Sequence, residues 1–258
     1  MDRVKKLIEP YIDQPGVIGI YLVGSATRPH RDDLSDYDIE VIVDDEVYDS
    51  TPDSERQTFF FKDGDPKVVD YEFYLIPWSD FSELQDSTLD LFHFPYQHAL
   101  VLHDPQGRIA PMVKKLAELP ENVRQDRMRV HFLEFLYRLG RARKTGMRGI
   151  HAINLSLLHG DALSALVKLL FLAKRSWPAT KHWSEEELLE LGIAPGLLQQ
   201  ISDWRSDPTA ERAKGLIGAI KAFLDDCDET FHRDLEPPQQ WLFFTKEGKR
   251  AFERWGER

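Results

Sequence analysis

The stretch that decides the fold reads Tyr21-Leu22-Val23-Gly24-Ser25, then ten residues of polar loop (26–35), then Asp36-Tyr37-Asp38-Ile39-Glu40-Val41-Ile42-Val43. Two apolar runs of strand length are separated here by Gly-Ser and a polar loop, which is typical of two strands joined by a turn. The second run opens on two aspartates. The stretch therefore predicts a strand, a turn and a second strand, with polar chemistry concentrated where the strands meet the loop.

The two aspartates of this stretch predict a metal site. Side chains alternate between the faces of a strand, so Asp36 and Asp38 project from one face and Tyr37 from the other. Two neighbouring carboxylates repel each other and need a cation between them. Mg²⁺ prefers oxygen ligands and combines one or two carboxylates with substrate phosphates, so this pair predicts a magnesium site.

Gly24 and Ser25 predict a phosphate site beside the metal. Glycine has no Cβ, so the backbone can approach a ligand closely, and the serine supplies a hydroxyl. Free backbone N–H groups at such a turn bind anions. We therefore expect a nucleotide to place its phosphates against Gly24 and Ser25.

The complete pattern of Gly24-Ser25, ten residues and Asp36-x-Asp38 resembles the signature of the nucleotidyltransferase superfamily, which includes DNA polymerase beta and the aminoglycoside nucleotidyltransferases. In that family the two aspartates bind two metal ions, and a third carboxylate comes from a later antiparallel strand. The resemblance implies two Mg²⁺ ions as cofactors and ATP or another nucleoside triphosphate as co-substrate.

The run Lys67–Pro77 resembles the strand that carries the third acid. Asp70 and Glu72 are two residues apart and are expected on one face, so either could complete a group with Asp36 and Asp38. We favour Glu72, because the run from Glu72 to Pro77 resembles the polymerase beta strand with its third acid five residues before a proline. Asp70 is the second choice. Glu40, also on the face of the two aspartates, is expected to support the site or to form a salt bridge at the sheet surface.

The predicted architecture is α+β in two domains. Residues 1–119 are expected to form the nucleotidyltransferase domain, a mixed sheet with flanking helices, in which two antiparallel strands (57–61 and 68–76) are joined by a turn at 62–66. From Pro120 onward the pattern is helical only, so residues 120–258 are expected to form a helical-bundle domain that completes the nucleotide and acceptor cleft. Its central helix, Ile150–Lys174, is apolar nearly all round.

Positive charge in the second domain supplies candidate phosphate ligands, since a triphosphate needs more cations than the metals alone. Arg138 and Arg141 are neighbours on one helix face and cluster with Arg143 and Lys144. Lys181 is a candidate by resemblance to a Pro-x-x-Lys-x-Trp-like turn of two-domain bacterial nucleotidyltransferases. Asp161, in the apolar helix, is expected to pair with an arginine of the neighbouring helix.

Composition limits the classes of partner. The formal net charge of −11 argues against a nucleic-acid partner, which needs a basic face, and suits a cationic small molecule. No apolar run is expected to reach the length of a bilayer span, and with an amphipathic N-terminal helix the chain is expected to be cytoplasmic, without a membrane partner.

These observations predict a Mg²⁺-dependent enzyme that transfers a nucleoside monophosphate, AMP from ATP by preference, to a hydroxyl of a small molecule such as an aminoglycoside-like antibiotic. The alternatives are an antitoxin-like enzyme that adenylylates a protein and a nucleotide-binding regulator without turnover.

Overall fold

A computed structural model describes residues 2–62, 65, 67–149, 152–233 and 238–256. The chain divides into two compact units, Met1–Glu118 and Leu119–Arg258, called here the sheet unit and the helical unit. The division lies next to the boundary predicted between residues 119 and 120. The function assigned to each unit stays a prediction.

The sheet unit contains a five-stranded sheet in the order β3-β4-β2-β1-β5. The pairs β1–β2, β1–β5 and β3–β4 are antiparallel, whereas β2–β4 is parallel. This mixed sheet with flanking helices, followed by a helical region, confirms the predicted α+β class. The strands are β1 (Val17–Val23), β2 (Tyr37–Val43), β3 (Gln57–Phe61), β4 (Val69–Pro77) and β5 (Leu100–His103).

The parallel pairing of β2 with β4 differs from the expectation of an antiparallel third-acid strand. Between the two strands the chain forms α2 (Asp45–Ser50), α3 (Asp53–Arg56) and β3. This crossover returns the chain to the end of the sheet at which β2 starts. The next strand, β4, therefore runs parallel to β2. The prediction that β3 and β4 pair antiparallel is correct.

Both faces of the sheet are covered by apolar side chains. One face packs against α1 (Asp2–Ile12), where Val4 and Ile8 are buried. The other packs against α4 (Trp78–Glu83) and α5 (Ile109–Ala117), with Phe81 and Ile109 fully buried. Strands buried on two sides form a rigid base for side chains at their ends.

The segment between α4 and β5 contains short 3₁₀ helices at Asp90–Phe92 and Phe94–His98. His93, between them, is buried, and its two ring nitrogens lie 3.0 Å from the Leu116 carbonyl oxygen and 2.9 Å from that of Ser87. These contacts fix an irregular segment in one position against the sheet.

The helical unit contains seven α-helices among its described residues. Its main core lies between the second half of α7 and residues of α6, α8, α9 and α10. The helices are α6 (Glu121–Met147), α7 (Ala152–Ala173), α8 (Ser184–Glu190), α9 (Pro195–Ser206), α10 (Ala210–Asp226), α11 (Pro238–Phe244) and α12 (Lys246–Trp255).

The burial of α7 differs from the prediction of a helix buried all round. Residues such as Leu166 and Leu170 in its second half are fully buried, whereas Ile153 and Leu157 in its first half are 74% and 62% exposed. By length and composition α7 is also apolar enough to cross a bilayer, so the expectation that no run reaches that length was wrong. The core helix of a folded protein satisfies the same criterion.

Two helix starts in the helical unit have defined contacts. Ser184 is the first residue of α8, and its hydroxyl donates to the Thr180 carbonyl. Thr245 separates α11 from α12, and its side chain accepts a hydrogen bond from the Gly248 amide and so starts α12. Residues 63, 64 and 66 of the predicted turn and residues 150 and 151 of the predicted central helix lie outside the described residues.

Candidate metal centre

Strand register brings three carboxylates together at one end of the sheet. The residue pairs Val23–Asp38 and Asp38–Glu72 face each other across β1–β2 and β2–β4. Asp36 lies just before β2, so Asp36, Asp38 and Glu72 form a group, called here the acid triad. Each offers an oxygen atom within 4.8 Å of those of the other two.

Gly24 allows the turn after β1 to pass directly against Asp38. Its φ is +73°, a conformation that L side chains rarely adopt. A Cβ built at this position would lie 1.8 Å from Asp38 Oδ2 and 2.9 Å from its Cγ. Only glycine can therefore place this backbone beside the carboxylate, which gives the Gly-Ser turn a function beyond reversing the chain.

The acid triad carries more negative charge than its surroundings stabilise. Burial, a hydrogen bond with Glu72 and the charge of Asp36 raise the pKa of Asp38 to about 8. Burial also raises the pKa of Asp36, and the Glu72 charge adds to this, while Arg31 opposes it. The acids thus hold a proton that a cation could replace.

Tyr74, two residues after Glu72, orients that carboxylate through a hydrogen bond. Burial and this hydrogen bond raise the pKa of the Tyr74 hydroxyl, so it remains a donor. Glu72 itself is 8% exposed. A tyrosine was not among the predicted site residues, although its spacing of two from Glu72 is the signal that places both on one face of β4.

Asp70 lies outside the acid triad and forms an ion pair with Arg3 of α1. The β3–β4 register shifts between Phe60 and Phe61, which pair with Tyr71 and Val69. An extra residue in a strand interrupts the alternation of side chains, and here that residue is Asp70. Of the two alternatives for the third acid, the structure therefore brings Glu72 to the aspartates and not Asp70.

Glu40 is held by two tyrosines instead of a salt bridge. The Tyr21 hydroxyl donates to its carboxylate, and the Tyr96 hydroxyl lies 3.4 Å from the same oxygen. Burial raises the pKa of Glu40 to about 7, although both hydrogen bonds act in the opposite direction. Neither tyrosine was among the predicted site residues. Tyr96 approaches from the irregular segment before β5, which has no regular pattern.

A cavity of about 450 Å³, called here the sheet cavity, opens beside Asp38 and Gly24. Glu40 and Asp80 add two further carboxyl groups to its wall. Leu84, Leu91 and Phe92 provide apolar surface in the same wall. The cavity therefore offers space for a small molecule next to the acid triad, within the 300–1,000 Å³ range of ligand sites.

The arginines of the loop before β2 have defined contacts. Arg28 is buried, stacks 4.2 Å from the Phe94 ring centre and donates to the Phe94 carbonyl. Arg31 lies 4.0 Å from the centre of the Tyr37 ring and acts electrostatically on Asp36. Arg28 thus supports the irregular segment, and Arg31 is the nearer cation to the acids.

The helical-unit residues predicted to bind the nucleotide lie in two different cavities. Arg138 and Arg141 line one of about 430 Å³, called here the arginine cavity. Lys181 lines another of about 440 Å³. Arg138 also contacts Asp161 at 3.3 Å, which confirms the predicted pairing of that aspartate, although Asp161 is 42% exposed and not deeply buried.

The acid triad has the chemistry that Mg²⁺ requires. Its donors are all carboxylate oxygens, which suit hard cations, and a cation beside them would favour the charged forms of Asp36 and Asp38, whose pKa values burial raises. Asp36, Asp38 and Glu72 can therefore hold a divalent cation. Among the described residues no second group of this kind was found.

Comparison with solved structures gives distant similarity. No protein-family model matches the chain, and no curated protein matches it. The chain is similar to the solved structure of a nucleotidyltransferase-like protein from Exiguobacterium sibiricum, with 18% identity and a TM-score of 0.47. The alignment covers 97% of this chain and 77% of the other.

Proposed function

We propose that the protein is a Mg²⁺-dependent nucleotidyltransferase that transfers a nucleoside monophosphate from a nucleoside triphosphate, ATP by preference, to a hydroxyl of a small molecule. The observation that carries the proposal is the acid triad, assembled against a glycine whose place no other residue can take. A turn of this kind beside clustered acids supplies both the phosphate site and the metal site that the reaction needs.

The reaction exchanges one phosphorus–oxygen bond for another. The acceptor oxygen bonds to the α-phosphorus, the bond from that phosphorus to the bridging oxygen breaks, and pyrophosphate leaves. The proton of the acceptor hydroxyl passes to a carboxylate oxygen of Glu72, which Tyr74 holds in place. Bound magnesium would supply charge neutralisation at the phosphates.

The other residues of the site bind and orient the substrates. Gly24 and Ser25 are proposed to contact the β- and γ-phosphates through backbone N–H groups and the serine hydroxyl. Arg138 and Arg141 are proposed as cations for the triphosphate, whereas Lys181 lines a different cavity and is not assigned to the triphosphate. Since Arg138 is already paired with Asp161, we expect Arg141 to have the larger effect on the KM for ATP.

The proposed acceptor is a small molecule that carries amino groups as well as the reacting hydroxyl. The sheet cavity supports this choice, because Asp38, Glu40 and Asp80 give its wall negative charge beside the acid triad. An amine-bearing molecule would be attracted to this wall, and the net charge of −11 would favour its approach. Aminoglycoside-like antibiotics are one class with this chemistry.

The test is incubation of the purified protein with Mg²⁺ and each of the four labelled ribonucleoside triphosphates. Acceptors are a panel of aminoglycosides and lincosamides, and separately a cell lysate, with pyrophosphate release and label transfer as readouts. Label on a small amine-bearing acceptor supports the proposal. Label on a protein shows instead an antitoxin-like adenylylating enzyme, and nucleotide binding without transfer to any acceptor shows a regulator.

A further inference from the structure

The cavity that contains Lys181, called here the apolar cavity, has a chemistry unlike that of the acid triad. It lies wholly within the helical unit and has a volume of about 440 Å³. Its walls come from α7, the segment after it, α8 and α9. This size is within the range of cavities that bind small molecules.

The floor of the apolar cavity is hydrophobic. Leu188 and Ile201 are 2% and 7% exposed, and Pro178 is buried. Leu163 and Val167 of α7 complete this surface and are half-buried. An apolar group that enters would remove both its own surface and these side chains from water, which favours binding.

The upper wall of the cavity is cationic. Lys168, Lys181 and Arg205 line it with one acidic residue, Glu185, which leaves a formal charge of +2 in a chain whose net charge is −11. Lys181 and Arg205 are exposed, so their charged groups can meet a ligand at the rim. A positive rim above an apolar floor is complementary to a molecule with an anionic head and an apolar body.

We infer that the apolar cavity binds an amphipathic organic anion, with the apolar body against Leu188 and Ile201 and a carboxylate or similar head at Arg205 and Lys181. Charge-assisted hydrogen bonds to the head fix its position at the rim. This binding site does not depend on the proposed transferase reaction. It gives the helical unit a ligand of its own.

Gly160 provides a way to fill the cavity without a clash. It lies in α7 on the cavity wall, and a Cβ built there meets no atom within 4 Å. Leucine at this position would extend into open space, and it is a better helix former than glycine. The Gly160→Leu variant should therefore fold normally and occupy part of the ligand's place.

The experiment measures binding of decanoate to the full chain by titration calorimetry, with decylammonium as the charge-reversed probe and 1-decanol as the neutral one. We expect decanoate to bind at least about tenfold more tightly than decylammonium because the rim is positive. Arg205→Gln should weaken decanoate binding about threefold, as for one exposed ion pair. The exposed Lys214 of α10 lies outside the cavity, and its change to Gln should have no effect.

Three results would overturn the inference. Equal affinity for decanoate and decylammonium would show an apolar surface without charge selection. Unchanged decanoate affinity in Gly160→Leu, with a normal thermal melt, would place the binding elsewhere. If decanoate and Mg·ATP compete, and if Lys181→Gln weakens the binding of both, the cavity belongs to the nucleotide. Independent binding of the two ligands supports the inference.

Discussion

One charge cluster in the helical unit and one in the sheet unit differ in how their charges are compensated. In the helical unit Arg124 is 1% exposed and contacts both Glu121 and Glu229 at 2.6 Å, so the buried Arg124 and the buried Glu229 face opposite charges. In the acid triad three carboxylates share one small space with a raised pKa at Asp36 and Asp38. The first arrangement compensates buried charge within the fold, whereas the second could hold a cation.

The largest effect should follow from removing one acid of the triad. Glu72→Gln should lower nucleotide transfer by roughly a thousandfold or more, because an acid that holds charge and proton at the reacting phosphate contributes several kcal/mol to the barrier. Asp70→Asn is the matched control on the same strand, since Asp70 pairs with Arg3. Initial rates of pyrophosphate release compare the two variants. Equal loss in both would show that the triad is not the reactive group.

The next effect should come from breaking the compensated charges of the helical unit. Arg124→Ala leaves Glu229, which is 5% exposed, without this cation, and should lower the free energy of unfolding by about 3–5 kcal/mol. Urea denaturation measures the change. The double variant Arg124→Met/Glu229→Gln removes both charges and should recover a large part of the loss. A double variant as unstable as the single one would show that charge compensation is not the cause.

Replacing Gly24 tests two sources of strain beside the acid triad, which are the contact of a new Cβ with Asp38 and the positive φ. Gly24→Ala should lower stability by about 2–3 kcal/mol, because the new Cβ meets Asp38 and the positive φ also disfavours alanine. Gly107 has a φ of +65° and nothing within 4 Å of a built Cβ, so Gly107→Ala reports the backbone term alone, about 1 kcal/mol. If thermal melts show equal losses for the two variants, the contact with Asp38 is not limiting.

The contributions of Asp38 and Glu121 to stability should depend on pH in opposite directions. The pKa of Asp38 is raised to about 8 from an ordinary value of 3.8, so its contribution is complete below about pH 4 and is lost as the pH rises through 8. Hydrogen bonds from Arg124 and Gln125 lower the pKa of Glu121 to about 2, so its contribution is present above about pH 4.5 and is lost as the pH falls toward 2.

Urea denaturation without metal should therefore show a loss on the order of 2 kcal/mol between pH 7 and pH 9. Asp38→Asn should remove most of this slope, and Mg²⁺ should reduce it in the unaltered protein. Glu121→Gln is the control, since it should affect only the acidic side of the profile. If the free energy of unfolding of Asp38→Asn falls as steeply at alkaline pH as that of the unaltered protein, another group causes the effect.

The sequence predicted the elements of the site better than their connections. Strand alternation placed Asp36 and Asp38 together, and the bounds of β3 were correct, because these signals are local. The choice of Glu72 over Asp70 depends on a bulge in β4 and on Arg3, 67 residues away in the chain. The parallel β2–β4 pairing likewise depends on the path of the crossover, which has no local signature.

The helical unit shows the same limit. The pairing of Asp161 with an arginine followed from their positions on neighbouring helices and was correct. That Arg141 and Lys181 line separate cavities depends on how α6, α7 and the segment after α7 are rotated about one another, which spacing along one helix does not determine. The role of Tyr96 was missed for a related reason, since it comes from a segment without regular periodicity.

The order of the strands has a consequence for the motions of the acid triad. β2 has hydrogen-bonded neighbours on both sides, β1 and β4, and β4 lies between β2 and β3. Sheets open first at their edges, here β3 and β5, so the amides of β2 should exchange with solvent only when the whole unit unfolds. The carboxylates of Asp38 and Glu72 are thus carried by the slowest-opening backbone of the sheet, and their spacing should persist while the edges fluctuate.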